Sequence, residues 1–230
     1  MTPDTTPPAQ PAQTNAAAAA ATGYSSAALP SSLWLSASQI PMESSYHWQS
    51  PAAEDKQGKA STAANWGQFW VTQACGATLS SSDTSSLAVL PVAQSYITPT
   101  TGGTSGNNDW LAQETIVGGG SAASQSQFAL FQDLVSEAKS CASTTSGASV
   151  QVGTDQGSEF AATLKIPTST GATLTVHEYL AAPFGYLVEF AMWVSPYAGN
   201  PGPTVPWDGT SDASVLSAIQ AGPCAASKAC

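Results

Sequence analysis

Apolar and polar residues alternate most regularly in the last third of the chain. In the segments 159–166, 172–180 and 186–194, every second residue is apolar over most of the length. Period-two alternation predicts β-strands, and the segments 167–171 and 182–185, which contain Pro and Gly, predict the turns between them. We therefore expect three consecutive antiparallel strands here.

Two other segments have a helical repeat. The first runs from Ala122 to Cys141, can be capped by Ser121 or Ser124, and has an apolar stripe made of Phe128, Phe131, Leu134 or Val135, and Ala138. This spacing predicts an amphipathic helix. The second follows Ser211 or Asp212 as a cap and buries Val215, Leu216 and Ile219. It predicts a C-terminal helix.

The first half of the chain has weaker patterns. Ser36 can cap a short helix that reaches Ile40, and the aromatic spacing in 66–79 is roughly helical. The segments 87–98 and 110–117 have the composition of strands. With the later elements, these patterns predict an α+β fold in which helices pack on one face of an antiparallel sheet.

Residues 1–30 predict a disordered tether, and residues 31–230 a single domain. The tether is rich in Pro, Ala, Thr and Gln, so it has too little apolar area to offset the entropy cost of folding. The chain start has no basic region followed by an apolar core, so we expect Met1 to follow a removed export signal or lipoprotein segment. A cytosolic protein with a disordered tail is the alternative.

Charge is unusually scarce. The chain has no arginine, five lysines and a formal net charge of −10, and charged residues make up 9% of it, against about 25% in an average soluble protein. Such a surface cannot neutralise a phosphate backbone, so we expect no nucleic-acid partner. It favours work outside the cell, where proteins meet acid, salt and proteases.

The cysteines agree with an extracellular or cell-surface location. They are even in number: Cys75, Cys141, Cys224 and Cys230. In an oxidising compartment they predict two disulfides, for which three pairings are open. No run of about 18 apolar residues occurs, so we expect no transmembrane segment. Lipid anchoring of the native precursor remains one option.

Several short stretches, taken in order, resemble one family. They are Leu35-Ser36-Ala37-Ser38-Gln39-Ile40-Pro41 with Ser45-Tyr46-His47-Trp48, the strand and helix from Glu114 to Cys141, and the C-terminal strand pair and helix ending Ser217-Ala218-Ile219. Over roughly residues 33–222 the chain resembles the secreted sensor-type domains of actinobacteria, which include the extracellular domain of the mycobacterial serine/threonine kinase PknH and related lipoproteins.

The resemblance implies an α+β domain with a broad cleft and disulfides, and a role in sensing or binding an extracellular signal. It implies no catalytic residues. It also implies that Cys75 pairs with Cys141. The strand pair 172–194 contains no cysteine, unlike the family pattern, which leaves Cys224 to pair with Cys230 in a small terminal ring.

Six residues are candidates for lining such a cleft: Tyr46, His47, Trp48, His177, Tyr179 and Trp207. His177 is expected on the sheet face that Tyr179 shares, exposed or facing the cleft, and opposite to Glu178. For His47, packing in an aromatic cluster is favoured over stacking on a ligand. Trp207 lies on a Pro- and Gly-rich loop, where it either lines a binding site or covers the edge of the core.

The expected function is non-catalytic binding of a small molecule or cell-envelope component, without a cofactor or metal. The Gly-x-Ser-x-Gly motif of hydrolases is absent, and Asn107-Asn108-Asp109 and Asp208-Gly209 are only fragments of a calcium loop. A second hypothesis is a secreted protease inhibitor or structural surface protein, which the lack of arginine would protect from trypsin-like enzymes.

The third hypothesis is an acid-tolerant secreted hydrolase that uses paired carboxylates. Glu178 and Glu189 lie on neighbouring predicted strands, and Gln68 or Gln73 would be their partner. The segment Asn65-Trp66-Gly67 is similar to the opening of glutamic peptidases, which use a Glu and a Gln. The two seven-stranded sheets of those enzymes do not fit a chain with two clear helices.

Overall fold

The helices and strands form an α+β fold, as the sequence predicts. The computed structural model of the chain describes residues 29–52, 69–87, 90–100, 109–118, 124–169, 171–194, 203, 205–228 and 230. The helices are α1 (Glu43–Tyr46), α2 (Trp70–Cys75), α3 (Ser81–Leu87), α4 (Ser124–Thr144) and α5 (Asp212–Ser227). The strands are β1 (Val92–Ile97), β2 (Trp110–Gly118), β3 (Ser149–Gln156), β4 (Glu159–Pro167), β5 (Thr173–Ala181) and β6 (Tyr186–Val194).

The strands form one six-stranded antiparallel sheet in the order β1-β2-β6-β5-β4-β3. The three strands predicted from alternation are β4, β5 and β6, and they are confirmed as neighbours. β6 joins the early strands to the later ones because it also pairs with β2 along its whole length. The sheet therefore brings residues near 110 beside residues near 190.

Helices cover both faces of the sheet, which corrects the expectation of a single covered face. The N-terminal segment and α5 pack on one face, called face A, with Leu33, Tyr46 and Val215 in its core. The helices α2, α3 and α4 pack on the other, called face B. The reason lies in β6, which is apolar at consecutive positions and so must be buried on both sides.

The long helix α4 is confirmed, with one correction to its apolar stripe. Phe131, Leu134, Val135 and Ala138 are buried against face B. Phe128 is 39% exposed and stacks on Phe131 with 5.8 Å between the ring centroids. Gln127 takes the buried position at this end of the helix instead.

Three of the elements named above were not predicted: the one-turn helix α1, helix α3 and strand β3. Leu87 ends helix α3 rather than starting a strand, and this helix begins with a reciprocal cap between Ser80 and Asp83, in which each side chain accepts the other's N–H. Edge strand β3 was missed because its residues are mostly polar and exposed. The C-terminal helix, capped by Ser211, and a 3-10 turn at Ala37–Gln39 with its Ser36 cap are confirmed.

Both expected disulfides are present, the one that the family resemblance implies and the terminal one that departs from the family pattern. Cys75 is bonded to Cys141, which ties the end of α2 to α4, and Cys224 is bonded to Cys230. Thr145 Oγ1 donates a hydrogen bond to the Cys75 carbonyl oxygen over 3.1 Å, next to the first bridge. Paired cysteines are typical of oxidising compartments.

Some sequence predictions lie outside the described residues. These are the tether up to residue 28, the Asn65-Trp66-Gly67 segment with Gln68, and Asn107 and Asn108 of the calcium-loop fragment. Within the ranges that are described, no helix combines the length and the apolarity needed to cross a membrane.

Candidate functional site

Three aromatic side chains meet at one end of face A. The rings of His177 and Trp207 are stacked, with centroids 3.9 Å apart and planes 12° from parallel. Trp110 packs against both, at 5.5 Å from His177 and 5.4 Å from Trp207. His177 and Trp207 are half-buried, whereas Trp110 is buried. We call these three residues the aromatic cluster.

The sheet register explains why Trp110 belongs to this cluster. Trp110 lies opposite Val194 on β6, and Val194 lies opposite Thr175 on β5, two residues before His177. Side chains two residues apart on a strand share a face, so Trp110 and His177 project from the same side. The sequence did not single out Trp110, because only the β2–β6 pairing places it there.

Trp207 is held on the cluster by two anchors. The indole Nε1 of Trp110 donates to the Val205 carbonyl oxygen over 2.9 Å, just before Trp207. Just after it, the Asp208 carboxylate accepts the N–H of Met42 over 2.9 Å. The loop before α5 is therefore fixed both to the sheet and to the N-terminal segment.

The other predicted lining residues form the core rather than a cleft wall. Tyr46 and Trp48 stack with ring centroids 4.9 Å apart, and both are buried on face A, as is Tyr179. His47 is exposed, so it does not pack among the aromatics as expected. It instead ends α1 in a left-handed conformation, with φ of 46°, and its carbonyl oxygen accepts the N–H of Thr100.

Burial favours the neutral form of His177 in the aromatic cluster. Burial lowers the pKa of His177 to about 4, so its ring is uncharged near neutral pH. Thr163 Oγ1 lies 3.4 Å from its Nδ1. Burial, and then Asp212 and the other nearby carboxylates, raise the pKa of Tyr179. A stacked, uncharged imidazole offers a flat surface with a polar edge.

The described residues do not form the open cleft that the family resemblance implies at this place. One groove that they do form is shallow, has a volume of about 560 Å³ and lies on the other side of the sheet. It lies between α4 and the β3–β4 turn, and its lining includes Phe131, Val135 and Lys139. Lys139 there forms a surface salt bridge with Asp155, at 2.6 Å.

The paired carboxylates of the hydrolase hypothesis do lie together, but in the interior. Glu178 and Glu189 are both 0% exposed on face B. Of the two suggested partners, Gln73 is exposed on α2 and Gln68 lies outside the described residues. Among the described residues both carboxyl groups are enclosed, and this burial speaks against a catalytic role.

Comparison with known proteins adds no relative. No model of a known protein family matches the chain, and no curated protein is similar to it in sequence. In the part of the chain that the structure describes, no three His, Cys, Asp or Glu side chains are grouped as metal ligands.

Proposed function

We propose that this chain is an exported, non-catalytic binding or sensor-like domain whose ligand binds at the aromatic cluster. The observation that carries the proposal is the stack of half-buried His177 and Trp207 on a rigid sheet. Partly exposed aromatic rings bind ligands through their flat apolar faces, and their polar edges orient what is bound. The ligand class is a small molecule or cell-envelope component with an apolar or ring-shaped face.

The anchored loop supports binding because the loop that carries Trp207 is already ordered before a ligand binds. Trp110 and Asp208 already fix the chain on each side of Trp207. A pre-organised site loses less conformational entropy when the ligand arrives, and more of the contact energy is kept as affinity.

Export is the second part of the proposal. Two disulfides, the absence of arginine and a charged fraction of 9% support a location outside the cell, secreted or at the surface. The resemblance to actinobacterial sensor-type domains supports the same location, with a lipid anchor on the native precursor as part of the proposal.

A binding titration tests the site. Soluble peptidoglycan fragments and short oligosaccharides are titrated into the protein, with tryptophan fluorescence and calorimetry as readouts. We expect saturable binding that Trp207→Ala weakens about fivefold or more, because stacking on an aromatic ring contributes on the order of 1 kcal/mol or more. Mass spectrometry should recover the probe chemically unchanged.

Phe184→Ala is the matched control. Phe184 is a 49% exposed aromatic residue in the β5–β6 turn, at the other end of the sheet. Its removal should leave binding unchanged. Equal loss in both variants, or binding that Trp207→Ala does not alter, would refute the aromatic cluster as the site. A probe that is cleaved would refute the non-catalytic assignment.

A further inference from the structure

A pair of carboxyl groups is enclosed on face B, the side of the sheet opposite to the aromatic cluster. Glu178 on β5 lies opposite Ala191 on β6, and Glu189 on β6 lies opposite Leu180 on β5. The side chains share the face of Leu180 and Ala191, which belong to the core beneath α2 and α4. Both glutamates are wholly buried.

No cation compensates this pair among the described residues. The groups that face Glu189 are the Thr115 hydroxyl from β2 and the backbone N–H groups of Trp70 and Val71 from α2. From β4, the residue opposite Glu178 is Ala162. The charged residues of α4 lie at exposed or half-buried positions: Asp133, Glu137 and Lys139, the last of which pairs with Asp155.

A proton shared between the two carboxyl groups can stabilise the pair in place of a counter-ion. Among the described residues, no hydrogen-bond donor reaches either oxygen of Glu178 or the Oε2 of Glu189. The two carboxyls lie close enough to hydrogen-bond to each other once one of them is protonated. Two adjacent carboxylates in a low-dielectric interior repel strongly, so the protonated pair is the stable form.

The pair is connected to the short helix α2. Glu189 Oε1 accepts the N–H of Val71 over 3.2 Å, in the first turn of α2. The other end of this six-residue helix is bonded to α4 through Cys75 and Cys141. Helix α2 is thus held to the sheet at its start by a carboxyl group and to its neighbour at its end by a covalent bond.

We propose that the Glu178–Glu189 pair is a proton-controlled latch that holds the first turn of α2 against the sheet. When the shared proton leaves, repulsion separates the two carboxylates and frees this turn, while the disulfide retains its other end. Burial raises the pKa of Glu178 well above its ordinary value and that of Glu189 to about 7, so the pair still holds one shared proton after Glu189 ionises, and release accompanies a further rise in pH above neutral. The latch does not depend on the proposed ligand site.

Hydrogen exchange at the α2 amides, residues 70–75, tests the latch. After correction for the intrinsic pH dependence of exchange, we expect the opening equilibrium to be about tenfold or more larger at about pH 10 than at about pH 7, since one pKa unit corresponds to a factor of ten. In Glu178→Gln together with Glu189→Gln, neither group can ionise, and the pH dependence should vanish.

Trp70 gives a second readout. Its ring packs 4.8 Å from that of Trp193, so release of α2 should change its fluorescence. The component that Trp70→Phe removes should titrate in the parent protein and stay constant in the double Gln variant.

Two controls make the test decisive. Glu137→Gln removes one negative charge from α4 without touching the pair, and should keep the parent pH profile. Glu178→Gln alone leaves the Glu189 bond to Val71 in place and should already abolish release. This single variant keeps the test possible if the double variant does not fold. Unchanged pH dependence in Glu178→Gln overturns the proposal. So does release of α2 by a chelator at pH 5, which would show a bound cation instead of a proton.

Discussion

At the scale of single residues, the unusual feature is a buried glutamate whose main partner is a backbone amide. Glu114 is 0% exposed on face A, and both of its carboxyl oxygens accept the Leu35 N–H, at 3.2 and 3.3 Å. Burial raises its pKa to about 8, although the bond from Leu35 opposes the shift. The folded state therefore prefers the neutral acid, while the unfolded chain ionises near pH 4.5.

This difference predicts a pH-dependent effect of Glu114→Gln. Glutamine keeps an acceptor for Leu35 but never ionises, so it avoids the cost that the parent incurs as pH rises from 4.5 to 8. By urea denaturation we expect the variant to be more stable at pH 8 by on the order of 3–5 kcal/mol, and nearly equal at pH 4. Glu114→Ala, which leaves Leu35 without its acceptor, should lose about 1–3 kcal/mol at pH 4. An equal gain from Gln at both pH values would contradict this account.

At the scale of elements, the two disulfides constrain very different loops. Cys75 and Cys141 are 66 residues apart and connect α2 to α4, whereas Cys224 and Cys230 are 6 apart at the chain end. A cross-link restricts the unfolded chain more when the loop it closes is longer. The first bridge should therefore contribute more to stability than the second.

Paired Ser substitutions test this ranking. In the chain-entropy account, we expect Cys75→Ser with Cys141→Ser to cost about 4 kcal/mol, and Cys224→Ser with Cys230→Ser about 2 kcal/mol. Denaturant unfolding of the oxidised parent and both variants measures the two losses. A larger loss from the terminal pair would mean that the end of α5 stabilises the fold more than the closure of the long loop does.

At the scale of the whole molecule, the buried ionisable groups have opposite effects on how stability changes with pH. Burial raises the pKa of Glu114, Glu178 and Glu189, so the stability they contribute is full below about pH 4.5 and is lost as pH rises through neutral. His177 acts oppositely, since its pKa falls from 6.5 to about 4 and acid favours its unfolded, protonated form.

Three buried glutamates favour folding in mild acid and one buried histidine opposes it. We therefore expect the free energy of unfolding to be larger in mild acid. Calorimetry at constant ionic strength should give a higher Tm at pH 5 than at pH 8. The negative surface adds to the trend, because a net charge of −10 at pH 7 repels itself more as the remaining carboxyls ionise. Conversion of all three glutamates to Gln should remove most of the difference in Tm between pH 5 and pH 8. A Tm that rises from pH 5 to pH 8 in the parent would show that His177 or other groups dominate.

The sequence by itself determined the elements whose signal is local. Strands β4, β5 and β6 follow from alternation, and α4 and α5 follow from their apolar stripes and caps, because a side chain's direction along one element depends only on its spacing. The even cysteine count allowed two bridges, the family resemblance supplied the Cys75–Cys141 pairing, and Cys224 and Cys230 were the pair that remained. The capped helix α3 and the polar edge strand β3 were not predicted because they contain few apolar residues.

Only the tertiary structure decided what these elements enclose. The contact of Trp110, His177 and Trp207 requires the β2–β6–β5 register, which joins residues far apart in the chain. Periodicity put Glu178 and Glu189 on neighbouring strands, yet it could not show that α2 and α4 cover them. Burial depends on which distant segments pack over a face, and that coverage makes an enclosed proton-binding pair out of two glutamates that would be ordinary carboxylates in water.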